Sequence, residues 1–228
     1  MQIISTLQQI KITKILMKYG SVFVKGLGGT LWMSAVTVFF GTILGILIAL
    51  MRMGKVKILR GVADVYVEVI RGIPALMQLY FFWLLFPKLV PFEVTDTFSI
   101  IVAFIVNASA YISEIIRAGI QAVDKGQWEA ARSLGMSESN MFRRIILPQA
   151  IKNILPALCN EFISTIKGTA LASVFFLNEL TTSYKTVASA TFLALESLCI
   201  SGIIYLILNV TLSKLVAVFE RRLKQSDR

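Results

Sequence analysis

Residues 26–51 carry no charged side chain, and the stretch is long enough to cross a bilayer as a helix. Four more apolar runs follow, over residues 62–86, 97–118, 145–177 and 191–219, parted by short polar segments. A helix rises 1.5 Å per residue, so about 20 residues cross the hydrocarbon core. The pattern predicts an all-α integral membrane protein of about five transmembrane helices.

The polar exceptions inside these runs shape the expectation. The second run opens with Asp64, Glu68 and Arg71, which places its start at the water interface. Glu68 and Arg71 stand three apart and can pair on one helix face. Pro74, in "RGIP", predicts a kink or break. The third run is charge-free until Glu114 and Arg117, again three apart. The fourth is too long for one untilted, uninterrupted crossing, and Pro148, Pro156 and Gly168 predict its breaks. Gly41 and Gly45 show GxxxG spacing, a short and common motif read here as ordinary glycine usage rather than a helix contact.

Composition agrees with the pattern. Of 228 residues, 56% are hydrophobic and 16% charged, where a soluble domain carries about a quarter charged. The net charge of +10 would suit a nucleic-acid binder, but the cations lie in loops between apolar spans, as the positive-inside rule produces. The loop after the first run has Arg52, Lys55, Lys57 and Arg60; the loop after the third has Lys125, Arg132, Arg143 and Arg144; the tail has Arg221, Arg222, Lys224 and Arg228. The other two loops have only Lys88 and Lys185. The basic loops are therefore cytoplasmic, and five spans put the N-terminus outside. Lys11, Lys14, Lys18 and Lys25 oppose that orientation. An amphipathic interfacial helix over residues 9–19 reconciles them with it. The expected division is an extracytoplasmic or interfacial segment at 1–25, a membrane domain at 26–223 with a cytoplasmic loop near 124–148, and a cytoplasmic tail at 224–228. No apolar core precedes a small-residue cleavage site, so no cleaved signal peptide is read. Cys159 and Cys199 lie in apolar runs without a CxxC pair, which implies neither a disulfide framework nor a zinc site. The chain has no histidine, which excludes every Ser-His-Asp scheme and the commonest metal ligand.

One polar stretch interrupts the pattern: "EAARSLGMSESNMFRRIILPQ", residues 129–149. "GQWEAARSL" is rich in helix formers and ends at Gly135, a residue suited to the left-handed position after a helix. Trp128 and Leu134 offer apolar anchors, and Glu129 and Arg132 add charge three apart. Ala130 and Ala131 keep the helix thin enough for another backbone to approach. Ser137 or Ser139 can cap the next helix. Physics alone leaves a docking element and a solvated loop helix both open.

The stretch contains EAA, three residues, Gly135, nine residues, Ile145, one residue, then Leu147-Pro148. This resembles the EAA loop of ABC importer permease subunits, with every fixed position filled. "YVEVIRGIPALMQLYFFW", "NASAYISEIIRAGIQAVDKGQWEAARSLGMS", "RRIILPQAIKNILPAL", "NEL" and "IYLILN" extend the likeness to the polar amino-acid permease family, over roughly residues 26–223. The resemblance implies a type I ABC importer permease fold in a bacterial-type inner membrane. It implies a second permease subunit, as homodimer or heterodimer, two ABC ATPase subunits, and an extracytoplasmic solute-binding protein. Glu129, Ala130, Ala131, Arg132 and Gly135 would then form a coupling helix seated in the ATPase. The chain lacks GxxxxGK[ST], so ATP and Mg belong to that partner and no cofactor is expected here. The protein is read as a transport subunit, not an enzyme.

Ionisable groups inside membrane segments are functional-site candidates by default. The fourth run offers Glu161 and Lys167, with Asn160 and Thr165 nearby; the third offers Asn107 and the fifth Glu196. Lys167 with the amides of Gly168 and Thr169 suits a substrate carboxylate, and Glu161 suits its ammonium. A structural Glu161–Lys167 pair is the alternative. The family reads Lys-Asp-Thr-Ser where this chain has Lys167-Gly168-Thr169-Ala170, so an acid and a hydroxyl are missing. That departure points to a neutral or sulfur-containing polar amino acid rather than a cationic one. A passive channel and a membrane enzyme are the competing readings. The enzyme lacks paired intramembrane aspartates, a Ser-His arrangement and HExxH.

Overall fold

Lipid offers a backbone no hydrogen-bond partner, so a chain this apolar satisfies itself by forming helices. The computed structural model describes the backbone over residues 2–225 and side chains over residues 11–223. Among these residues the elements, in order, are α1 (Gln2–Met53), α2 (Lys57–Gly72), α3 (Ala75–Leu89), α4 (Asp96–Gln121), α5 (Lys125–Ser133) and α6 (Glu138–Met141). A π turn (Phe142–Ile146) leads into α7 (Leu147–Gly168), a 3-10 helix (Thr169–Phe175), α8 (Leu180–Thr191) and α9 (Ala194–Gln225). No described residue is in a strand. The side chains of the 224–228 tail lie outside the described residues.

α1, counted from Lys11, α4 and α9 are each long and apolar enough to cross a membrane, and α2 with α3 adds a fourth crossing if the bent pair counts as one. Three or four of the five expected spans therefore qualify. The exception is α7, whose 22 residues reach far enough, but whose Lys152, Glu161 and Lys167 lower its hydropathy. α1 passes residue 26 without a break, so residues 9–19 are not a separate interfacial helix.

Pro74 breaks the second run outright. Ile73 and Pro74 are extended, as the residue before a proline prefers, and α2 and α3 meet at 108°. The break frees carbonyls at the end of α2. Gln78 Nε2 donates to Ile70 O at 2.6 Å and to Ile73 O at 2.7 Å, and Asn107 Nδ2 donates to Gln78 Oε1 at 3.1 Å. The expected Glu68–Arg71 pair is not formed: the Arg71 guanidinium lies 5.4 Å from the Tyr111 ring centroid, and Glu68 is exposed. Of the three breaks expected in the fourth run, only Gly168 coincides with the end of a helix. Pro156 lies inside α7. Ahead of Pro148 the helix widens into the π turn, with Leu147 N donating to Phe142 O.

The chain divides into two compact units, residues up to 36 with 163–213, and residues 37–162 with those from 214 on. In the first, α1 lies against the start of α8. Thr30 Oγ1 accepts from Leu180 N at 3.1 Å, and Ser183 Oγ donates to Val22 O at 3.0 Å. Glu179 is fully buried and caps α8. It accepts from Thr181 N and Thr182 N, from the Thr182 hydroxyl at 3.0 Å and from the Tyr205 hydroxyl at 3.1 Å. Glu196, an expected intramembrane charge, pairs with Lys11 at 3.7 Å.

In the second unit α1 packs on α4 through the two glycines read above as ordinary usage, and that reading is corrected. A Cβ on Gly41 would sit 3.1 Å from Ala108 Cβ, and one on Gly45 2.8 Å from Ile112 Cγ2. The motif permits close backbone approach, as small-residue interfaces in membranes do. Ala49, Ile112, Ile116, Ile120, Ala131 and Met141 then share one core.

The glycines of α1 supply a clean test. A Cβ on Gly29 would meet Asn178 O at 1.9 Å, whereas one on Gly28 meets nothing within 4 Å. Gly29→Ala is expected to destabilise by about 1–3 kcal/mol through overpacking, and Gly28→Ala to be neutral or stabilising by up to about 1 kcal/mol. Thermal unfolding of both variants in one detergent checks this; equal midpoints would contradict the packing.

Candidate functional site

α5 is the helix predicted from the polar stretch. Asp124 caps it, its carboxylate accepting from Gly126 N at 2.7 Å. At the other end Gly135 takes φ 72°, and its N–H donates to Arg132 O at 2.9 Å while Met136 N donates to Ala131 O at 3.1 Å. These bonds close the last turn through a left-handed glycine. Of the two candidate caps for the next helix, Ser137 is the one used, accepting from Asn140 N at 3.4 Å.

The two faces of α5 differ. Ala131 is 1% exposed and sits in the core with Ala49, Ile116, Ile120 and Met141, with Trp128 packed against it. Ala131 therefore thins the helix toward its own chain. Glu129, Ala130 and Arg132 point outward, and Leu134 is 80% exposed. Trp128 is an anchor within the chain; Leu134 is left free for something else. Arg132 pairs with Glu138 at 3.3 Å rather than with Glu129. Beside α5 opens a cleft of about 600 Å³, lined by residues that include Met53, Gln121, Lys125, Trp128, Glu129 and Arg132.

A group of charges next to this cleft escaped the sequence reading. Arg52 Nε donates to Asp64 Oδ1 at 2.7 Å and its Nη1 to Glu114 Oε2 at 2.5 Å. Glu114 also accepts from Arg117, which donates in turn to Gln121 Oε1 at 2.6 Å. Only the Glu114–Arg117 spacing was visible beforehand. The partners of Arg52 lie 12 and 62 residues away, beyond any local pattern.

The substrate-path candidates divide between the two units. Asn107, Asn160 and Glu161 belong to the unit holding 37–162, and Thr165, Lys167, Gly168 and Thr169 to the other. Asn107 is held by Gln78 at the helix break. Asn160 is exposed and Glu161 half-buried. Thr165 and Thr169 are buried, and the Thr169 hydroxyl donates to Ile166 O at 2.8 Å. Lys167 is exposed in the last turn of α7, where the helix dipole favours a cation. Gly168 is the joint at which α7 passes into the 3-10 helix. Among the described residues no group of three or more His, Cys, Asp or Glu side chains could hold a metal.

Residues 41–225 match the family described as binding-protein-dependent transport system inner membrane component. The chain is 43% identical to the L-cystine transport system permease protein of Bacillus subtilis, covering 87% of this chain and 85% of that one. It is 39% identical to the arginine transport system permease protein of the same organism, covering 89% and 93%. A crystal structure of an amino acid ABC transporter with histidines superposes with a TM-score of 0.87 at 44% identity, covering 91% of this chain and 96% of that one. The methionine ABC transporter in an inward-facing conformation, at 20% identity and a TM-score of 0.73 over 89% and 96%, shares the fold. The helices, the α5 turn and these likenesses agree: the chain belongs to the binding-protein-dependent inner-membrane transport components, as the multi-pass, non-enzymatic permease subunit of an amino-acid ABC importer.

Proposed function

We propose that α5 is the coupling helix of this importer, with Glu129, Ala130, Ala131, Arg132 and Gly135 forming the element that an ATPase subunit grips. The supporting observation is the split of its two faces: Ala131 locks α5 into the chain's own core, while Glu129, Ala130, Arg132 and Leu134 stay outside. A solvated loop helix has no use for a leucine turned outward. The complex would comprise a second permease subunit, the same chain or a related one, two ATPase subunits carrying ATP and Mg, and an extracytoplasmic solute-binding protein. The basic loops and α5 face the cytoplasm with the C-terminus, and the N-terminus lies outside.

Asn107, Asn160, Glu161, Thr165, Lys167, Gly168 and Thr169 are assigned to the substrate path. Lys167, with the amides of Gly168 and Thr169 beside it, would receive the substrate carboxylate. The substrate is a neutral or sulfur-containing polar L-amino acid, because Gly168 brings no acid to the joint after Lys167. The L-cystine permease among its relatives supports that choice. The half-buried Glu161 carboxylate, with the arginine permease and the histidine-bearing structure among its likenesses, favours a cationic amino acid as the second reading.

Three outcomes are expected of the reconstituted complex. Gly135→Val places a β-branched residue at positive φ, which costs about 1–2 kcal/mol, and transport should fall roughly tenfold while membrane insertion persists; undiminished transport would remove Gly135 from the coupling role. Lys167→Ala should lower uptake with all subunits still co-purifying, and wild-type uptake would return Lys167 to a structural part. In an uptake panel of radiolabelled amino acids, cystine and neutral polar residues should compete best. Strong, selective arginine transport would establish the cationic reading instead.

A further inference from the structure

We infer that the Arg52–Asp64–Glu114–Arg117 cluster is a clamp that carries movement of α5 into α1, α2 and α4, with Arg52 and Glu114 as positioning residues for coupled transport. The inference rests on the reading of α5 as the ATPase contact. Three observations lead to it.

The α1–α4 contact is made through Gly41 and Gly45. Glycines bring two backbones close but interdigitate no side chains, so they fix distance better than register. Arg52, at the end of the same helix, supplies the register through its bond to Glu114 of α4. α2 is joined to α1 by a short turn at Gly54 and is tied to the same guanidinium through Asp64. One side chain thus ties the end of α1 to the middle of α2 and to α4.

The cluster is also built for that environment. Two cations meet two anions, and Arg52 is only 15% exposed on its side chain. Near lipid an unmatched charge is expensive, so a balanced, forked arrangement moves as a body rather than loosening bond by bond. Arginine fits because its planar fork serves two carboxylates at once; lysine is a point charge.

Finally, the cluster borders α5 on two sides. Arg117 donates to Gln121, and Gln121 lines the cleft beside Glu129 and Arg132, as does Met53, the residue after Arg52. A push on α5 reaches the cluster through both walls. A purely stabilising ion group would need no such position.

The test uses the full importer in proteoliposomes, with ATP hydrolysis and amino-acid uptake measured on the same vesicles. Glu114→Gln is the gentler variant, because Arg52 keeps Asp64 and Arg117 keeps Gln121; Arg52→Gln and Arg52→Lys accompany it. The clamp predicts roughly tenfold less uptake per ATP hydrolysed for Glu114→Gln and Arg52→Gln, with subunits assembled and hydrolysis retained, and an intermediate ratio for Arg52→Lys. An unchanged ratio overturns the inference. So does a parallel loss of uptake, hydrolysis and co-purifying subunits, which marks the cluster as scaffold only. Gly135→Val runs alongside: if it alone leaves coupling intact, the α5 reading fails; if it uncouples and the Arg52 variants do not, the clamp alone fails.

Discussion

A peptide group in lipid has no water to turn to, so each helix break in this chain must bring its own hydrogen-bond partner. Much of the structure follows from that. Pro74 ends α2 and reorients the chain by 108°, and Gln78 exists to take up the carbonyls left behind, with Asn107 completing its amide. Pro148, which cannot donate, is preceded by a π turn. Glu179 caps α8 from a fully buried position, its carboxylate surrounded by amides and hydroxyls. Gln78 and Glu179 are buried polar side chains placed where a helix begins.

Charge obeys the same constraint. Lys11 answers Glu196, and Arg52 and Arg117 answer Asp64 and Glu114. The outward charges of α5 are of a different kind. Glu129 and Arg132 are not needed to balance the interior, and they stand with Leu134 on the face away from the core. Internal charges bind helices to each other, whereas the outward Arg132 meets Glu138, which is likewise exposed. On the proposal that α5 is the coupling helix, this division would let a chain without a phosphate loop take up motion at one short helix and pass it on through packed and ion-paired helices.

Much of this was legible in the sequence because it is local. Apolar runs gave the long helices α1, α4 and α9, Pro74 gave the break, and the Gly135 turn followed from residue type alone, while the next cap stayed open between Ser137 and Ser139. The EAA spacing pointed to the family. What stayed hidden depends on distant residues. Glu68 and Arg71 have pairing distance, yet Arg71 turns to Tyr111. Gly41 and Gly45 look ordinary until Ala108 and Ile112 come within contact of them. Pro156 reads as a break but is carried inside α7. Phe176 and Phe192 end helices at φ 56°, where glycine would be expected, and no local signal announces them. α7 is the clearest case: Lys152, Glu161 and Lys167 make it look less like a span than its neighbours.

The measurement that bears most directly on the account is affinity purification of this chain from its native membrane, with mass spectrometry of what accompanies it. An ATPase carrying a phosphate loop is predicted to co-purify in stoichiometric amount, held through α5. An intact chain recovered without any such ATPase would contradict the account and leave a passive channel to be considered.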